Sequence, residues 1–343
     1  MIIAVDAMGG DFAPKAVIDG IINAIPMMDT STCIRIYGDE TRIMESLPEA
    51  LVSSGRVSVI HTTQIVTCDD SPTGVIRSKK DSSLIRAVSS VASKEADCVV
   101  SAGSTGALLS AATLIIKRIP DVKRPALAPV LPTVTGGHAI LIDGGANTDC
   151  KPEYLDQFAV MGSAYMHGIY GITSPRVGLL NNGAEETKGN ELAKSAHALL
   201  KNNDRISFIG NCEARDALSG DYDVIACDGF DGNVLLKGLE GAVSAVMSIL
   251  KDGLMSSFRT KIGAALAKPA FRKLKHTMDY TEHGGAPLLG VNGGVIKAHG
   301  SSNAKAFCNA LLQAEKMVAS DVCGIIRSNI VPRTEANEEC SKD

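Results

Sequence analysis

Short apolar runs rich in β-branched residues recur along the chain at 2–5, 33–37, 57–60, 98–101, 139–142, 177–180, 206–209 and 224–227. Several lack the apolar–polar alternation of a half-exposed strand, which predicts strands covered on both faces. Between them, the stretches 84–96, 105–117, 153–167, 186–200 and 234–250 place apolar residues at helical spacing. Strand and helix in alternation predict an α/β fold, a doubly wound and mostly parallel sheet.

Gly, Asp and Asn gather just beyond the strands: AMGGD after the first, AGSTG after the fourth, DGGANTD after the fifth, NNGAEE after the sixth, GNCEARD after the seventh and CDGFDGN after the eighth. Ligands of open α/β sheets bind at the carboxyl ends of strands. Glycine lets backbone approach closely, and helix N-termini offer free N–H groups to negative charge. Any one such tip is also what a tight turn and a helix cap need. Six together predict a cleft for a small anion.

Composition narrows the classes. Of the 343 residues 45% are hydrophobic and 21% charged, which is globular. There is no Trp and the net charge is −4, so stacking platforms and a global footprint for nucleic acid are not expected. Nine scattered cysteines without a C-x-x-C pair predict free thiols in a reducing cytoplasm, not a zinc site. No cofactor or metal is expected: His138, His167, His197 and His283 lack ligand-type partners. The opening MIIAVDAMGGDF has no basic region ahead of its apolar residues, so a secretory signal is not expected. No uninterrupted apolar run approaches the ~18–20 residues of a spanning helix, which predicts a soluble or peripheral protein. Without an internal linker, 1–333 is expected to be one domain and 334–343 a disordered polar tail. No G-x-G-x-x-G follows the first strand and no G-x-S-x-G occurs, which disfavours a dinucleotide enzyme and a serine nucleophile.

Taken together, the tips resemble the PlsX family of phosphate acyltransferases. The matching strings are AVDAMGGDFAP (4–14), VSAGSTGALL (100–109), RPALAP (124–129), DGGANTDCKPEYLDQFAVMG (143–162), PRVGLLNNGAEETKG (175–189), GNCEARD (210–216), DVIACDGFDGNVLLKGLEG (223–241) and GGAPLLGVNGGVIKAHGSSNAKA (284–306). Two positions depart from the family pattern: Ser104 stands where Asn is expected, and Ala214 where Gly is expected. Ala214 is tolerated only if its φ is negative. The resemblance implies a three-layer α/β/α fold like isocitrate dehydrogenase and phosphotransacetylase, with two intertwined subdomains and a homodimer. It also implies transfer of a fatty acyl group from acyl carrier protein thioester to inorganic phosphate, the acyl phosphate then feeding a membrane glycerol-3-phosphate acyltransferase. A short-chain phosphotransacetylase using acyl-CoA is the nearest alternative. A non-catalytic, membrane-docked phosphate- or nucleotide-binding regulator is the alternative from another class.

Attack of phosphate on a thioester asks the protein to hold the dianion, stabilise an oxyanion and manage the leaving thiolate. Lys297-Ala-His-Gly-Ser-Ser-Asn303 concentrates suitable groups just before a helix expected near Ala304. His299 is the expected oxyanion or thiolate donor, with Lys188 and Asn233 as further catalytic candidates. Gly9, Gly10, Ser104, Thr105, Asn147, Asn182, Asp228, Lys237, Lys297, Ser301, Ser302 and Asn303 are candidates for binding phosphate or substrate. Asp143 is expected to organise the cleft, while Asp6 and Asp11 brace their loop or hold a cation.

Seven basic residues and one acid lie between Lys251 and Lys275. Leu254, Phe258, Ile262 and Leu266 form one apolar stripe, Pro269 ends it, and Phe271, Leu274 and Met278 continue a second. This predicts a basic amphipathic hairpin over 251–278, in which Arg259, Lys261, Arg272 and Lys273 join the apolar residues in contacting an anionic membrane or acidic carrier protein. A dimerisation or core-packing hairpin with a solvated basic face is the plainer alternative.

Overall fold

The computed structural model describes residues 1–271 and 284–330. The β-branched runs become β1 (Ile2–Asp6), β2 (Cys33–Gly38), β3 (Val57–His61), β4 (Cys98–Ser101), β7 (His138–Ile142), β8 (Arg176–Asn181), β9 (Ser207–Glu213) and β10 (Val224–Ala226). Four short strands were not expected: β5 (Ala126–Leu127), β6 (Val130–Pro132), β11 (Gly285–Leu289) and β12 (Gly294–Ala298). The helices are α1 (Lys15–Ala24), α2 (Glu40–Met44), α3 (Glu49–Ser53), α4 (Val75–Ser78), α5 (Ser83–Ala92), α6 (Thr105–Ala111), α7 (Pro152–Tyr170), α8 (Glu191–Lys201), α9 (Gly229–Met255), α10 (Phe258–Leu266), α11 (Ala304–Ala319) and α12 (Val322–Asn329).

Side-chain caps decide where several helices start. Asn190 Oδ1 accepts from Ala193 N at 2.8 Å, so α8 begins five residues later than its apolar spacing suggests. Asp228 Oδ1 accepts from Asp231 N at 2.8 Å, and α9 begins five residues earlier. Its first turns press into the body, where a side chain at Gly232 would collide with the Asp143 carbonyl. Ala214, the departure of concern, opens a short 3₁₀ turn and is not among the described positive-φ residues.

Two mixed, mostly parallel sheets result. One runs β3-β2-β1-β4-β12-β11-β5, the other β6-β7-β10-β8-β9. The chain leaves the first sheet through β5, builds the second, and returns as β11 and β12, which places β12 parallel beside β4. Helices cover both sides, and α7 buries Phe158 and Tyr165 completely. Each such side chain stabilises the fold by about 1.5–3 kcal/mol. The amide of Gln313 on α11 donates to the Tyr165 hydroxyl at 2.9 Å, satisfying that buried group and tying the two helices together.

α9 bears on two expectations. An 18-residue window within its 27 residues is apolar enough, by length and composition only, to cross a membrane. Lys237, Glu240 and the interspersed Gly and Ser divide it into short apolar runs in the sequence. It also extends through Leu254, and a capping box between Ser257 and Thr260 then starts α10. The expected stripe is therefore broken: Leu254 lies on the last turn of α9, while Phe258, Ile262 and Leu266 lie on α10. Leu274 and Met278 of the second stripe, and the basic Arg272 and Lys273, lie outside the described residues.

Candidate active site

The ends of β1, β4 and β12 are neighbours in the first sheet, and their loops interlock. Gly10 adopts a φ of +105°, and Asp11 N donates to the Gly300 carbonyl at 2.9 Å. A side chain at Gly9 would strike Asp6 and the backbone of Gly103. Asp6 is buried, taking a 2.6 Å hydrogen bond from Ser101 Oγ and one from Met8 N at 3.3 Å. Burial raises its pKa against those hydrogen bonds. It braces its loop, one of the two roles expected for it.

Beside it, Lys297 on β12 is only 7% exposed. Its ammonium donates to the carbonyls of Ala102 and Ala298, joining the ends of β4 and β12. Burial pulls the Lys297 pKa down to about 8, against the opposing attraction of Asp6. Next along the chain, His299 Nδ1 accepts from Ser301 N at 3.2 Å and lies 2.8 Å from Ser301 Oγ. In the neutral ring this places the proton on Nε2. Burial, with the charge of Lys237 behind it, holds His299 below the ordinary imidazole range.

Asn303 caps α11, its Oδ1 accepting from Ala306 N at 2.9 Å. Ser301 turns back to His299 instead. Ser302 is buried at the N-terminal end of α11, and its hydroxyl has no hydrogen-bond partner among the described residues. That end of a helix favours an anion.

From the second sheet, β7 delivers Asp143, which is fully buried. It accepts from Leu127 N (2.9 Å), Gly145 N (3.2 Å), Ala146 N (3.0 Å), Asn147 N (2.7 Å) and Asn147 Nδ2 (2.8 Å). Burial pushes its carboxyl above the usual range while these donors pull it back. Both hydrogens of the Asn147 amide are taken up, the second by the Pro125 carbonyl at 2.8 Å. Asn147 therefore braces the loop and does not present a donor to a ligand. Its own carbonyl accepts from Gly229 N at 2.7 Å, fixing the start of α9. Asp228 is likewise engaged as the cap of α9.

These parts enclose a cavity of about 640 Å³ between the sheets and α9. Thr105, Asn233, Lys237, Lys297, His299 and Gly300 line it, five of them among the expected residues. Ser104 supports Thr105 from behind by capping α6, accepting from Ala107 N at 3.4 Å. Lys237 pairs with Glu240 at 2.8 Å.

Asn182 and Lys188 do not line the cavity. They are exposed on the loop after β8, and β10 separates β8 from β7 in the sheet order. The six Gly-rich tips thus do not all converge: the tips after β8 and β9 lie on the far side of the second sheet. The larger omission is apolar. Leu127, Pro129, Val130 and Leu131 form one wall, and Leu236, Leu239, Val243 and Met247 of α9 form another. The helical spacing of the α9 residues was visible in the chain, but not that one face would border a cavity.

The two-sheet α/β fold is that of solved phosphotransacetylase structures. A phosphotransacetylase from Streptococcus pyogenes superposes with a TM-score of 0.57 at 16% identity, covering 93% of this chain and 94% of that one. A branched-chain phosphotransacylase from Enterococcus faecalis V583 gives 0.60 at 14% identity, covering 93% and 99%. The family model described as "Fatty acid synthesis protein" matches residues 1–325. A phosphate acyltransferase of Bacillus subtilis (strain 168) is 47% identical over 330 residues, 96% of this chain and 98% of that protein. One from Clostridium botulinum (strain Loch Maree / Type A3) is 46% identical over 337 residues, 98% of this chain and 100% of that protein. The chain belongs to this fatty acid synthesis protein family and is a PlsX-type acyltransferase enzyme.

Proposed function

We propose that the enzyme moves a long-chain fatty acyl group from acyl carrier protein thioester to inorganic phosphate. The observation that carries this is the two-part cavity, polar at His299 and Lys237 and apolar along α9. Phosphate sits near Gly300 and the N-terminal end of α11, where the helix dipole and the Ser302 hydroxyl, without a hydrogen-bond partner among the described residues, favour it. A phosphate oxygen attacks the thioester carbonyl carbon, and the carbonyl oxygen becomes an oxyanion facing the His299 Nε2–H. Collapse expels the carrier's thiolate, which takes up a proton, and leaves the acyl phosphate. No side-chain nucleophile is needed. Holding the reactants together can be worth about 7–11 kcal/mol, and one oxyanion donor about 3–4.

Palmitoyl-carrier protein should release free thiol only when phosphate is added, with an equal amount of acyl phosphate trapped by hydroxylamine. Phosphate-independent release would overturn the reading. A preference for acetyl-CoA would favour the short-chain alternative, against which the apolar length of the cavity already speaks.

The enzyme then works in the cytoplasm at the membrane surface, passing its product to a membrane acyltransferase. Phe258 and Leu266 are each 80% exposed on α10, beside exposed Arg259 and Lys261. Such a surface suits anionic lipid. Phe230, Val234, Val246 and Ile249 expose a separate apolar face of α9, which suits the partner protomer of a homodimer. In flotation with anionic vesicles, Phe258→Glu should remove most of the bound fraction and Leu254→Glu, half-buried on α9, less. Unchanged flotation of both variants would exclude the membrane role.

A further inference from the structure

The apolar part of the cavity has a direction. α9 residues that line it recur every three or four positions: Asn233, Leu236, Glu240, Val243 and Met247. Asn233 and Lys237 stand at the polar end with His299. Met247 stands 14 residues further, about 21 Å along a helix that rises 1.5 Å per residue. Leu236, Val243 and Met247 are half-buried, whereas Val246 and Ile249 on the opposite face are 62% and 72% exposed. The inward face is therefore turned to the cavity while the outward face is not.

Glu240 marks the boundary between the two parts. Its carboxylate is paired with Lys237, and beyond it the only polar α9 side chain on the cavity is Ser244. Val130, Leu131 and Pro132 of β6, with Leu218, form the facing wall. A trough apolar in lining and joined at one end to the proposed oxyanion site fits one class of occupant: an unbranched acyl chain whose thioester lies at His299.

We propose that α9 sets the acyl chain length, with Val243 along the middle of the chain and Met247 at its far end. This rests on the acyl-transfer reading above. Each methylene buried against this wall favours binding by roughly fourfold, so the length at which burial stops becomes a preference. A bulky side chain at Val243 shortens the trough, and a small one at Met247 lengthens it.

The test compares kcat/KM for hexanoyl, decanoyl, palmitoyl and stearoyl thioesters on one carrier protein. Val243→Phe should raise the hexanoyl-to-palmitoyl ratio by about tenfold or more, the scale at which pockets discriminate by one or two methylenes. Met247→Ala should raise the stearoyl-to-palmitoyl ratio. Unmoved ratios in both variants, or equal losses at every length, would overturn the assignment. If the wild-type enzyme transfers no acyl group to phosphate, the acyl-transfer reading falls and the chain-length proposal falls with it.

Discussion

Replacing His299 with alanine is expected to lower kcat for acyl transfer to phosphate by about 10²–10³, the loss that follows removal of one preorganised oxyanion donor. The geometry specifies why this ring would act as a donor. Ser301 N–H points at Nδ1, so the neutral ring carries its proton on Nε2. The ring lines the cavity beside Lys237, Lys297 and Gly300. Burial and the Lys237 charge lower its pKa, so it stays neutral to a lower pH than an ordinary histidine. Protonation would abolish the bond that Nδ1 accepts from Ser301 and free the ring to turn. The acid limb of kcat should accordingly fall below the ordinary histidine range, and Ser301→Ala, which keeps the N–H bond but removes the Oγ contact to Nδ1, should move that limb with a smaller loss of kcat. Steady-state kinetics across pH, with hydroxylamine trapping, measures both. Turnover of His299→Ala within a few-fold of wild type would remove the proposed role.

How much of this was legible in the chain differs from part to part. The parallel strands and their order of elements followed from β-branched runs, because buried strands tolerate little else. β5 and β6 escaped notice because they are two and three residues long and lie in a Pro-rich stretch. They are nevertheless what joins the sheets and forms one wall of the cavity. Polar residues crowd the starts of α9 and α11, which points to His299, Asn233 and Lys237, and all three line the cavity. Lys188 was selected on the same grounds and lies elsewhere, since spacing along a chain does not say which strand ends are neighbours in a sheet. Lys297 was expected as a cation for phosphate. Its burial between two strand ends depends on β12 returning beside β4, a contact across nearly 200 positions of sequence. The apolar stripe at Leu254 through Leu266 was real in spacing but broken in space, since Ser257 caps a new helix.

Asp143→Ala is expected to destabilise the fold by about 3–4 kcal/mol, at the upper end for a single substitution. Four backbone N–H groups and the Asn147 amide converge on this one carboxylate in the interior. Each donor left without an acceptor costs about 1–3 kcal/mol, and the total is less than the sum because the loop can relax and admit water. Asn is a poor substitute, since its NH₂ would face N–H donors. The damage should reach the cavity before it reaches the whole molecule. Leu127 and Gly145, both held by Asp143, line the cavity, and Asn147 fixes Gly229 at the start of α9. Loosening the loop therefore shifts the helix that carries Asn233, Lys237 and the apolar wall. Thermal or denaturant unfolding should show the loss of stability, and activity at a temperature where the variant remains folded should show a rise in KM for the acyl donor. A variant as stable as wild type would mean that water alone satisfies those donors, and the loop after β7 would then not depend on Asp143.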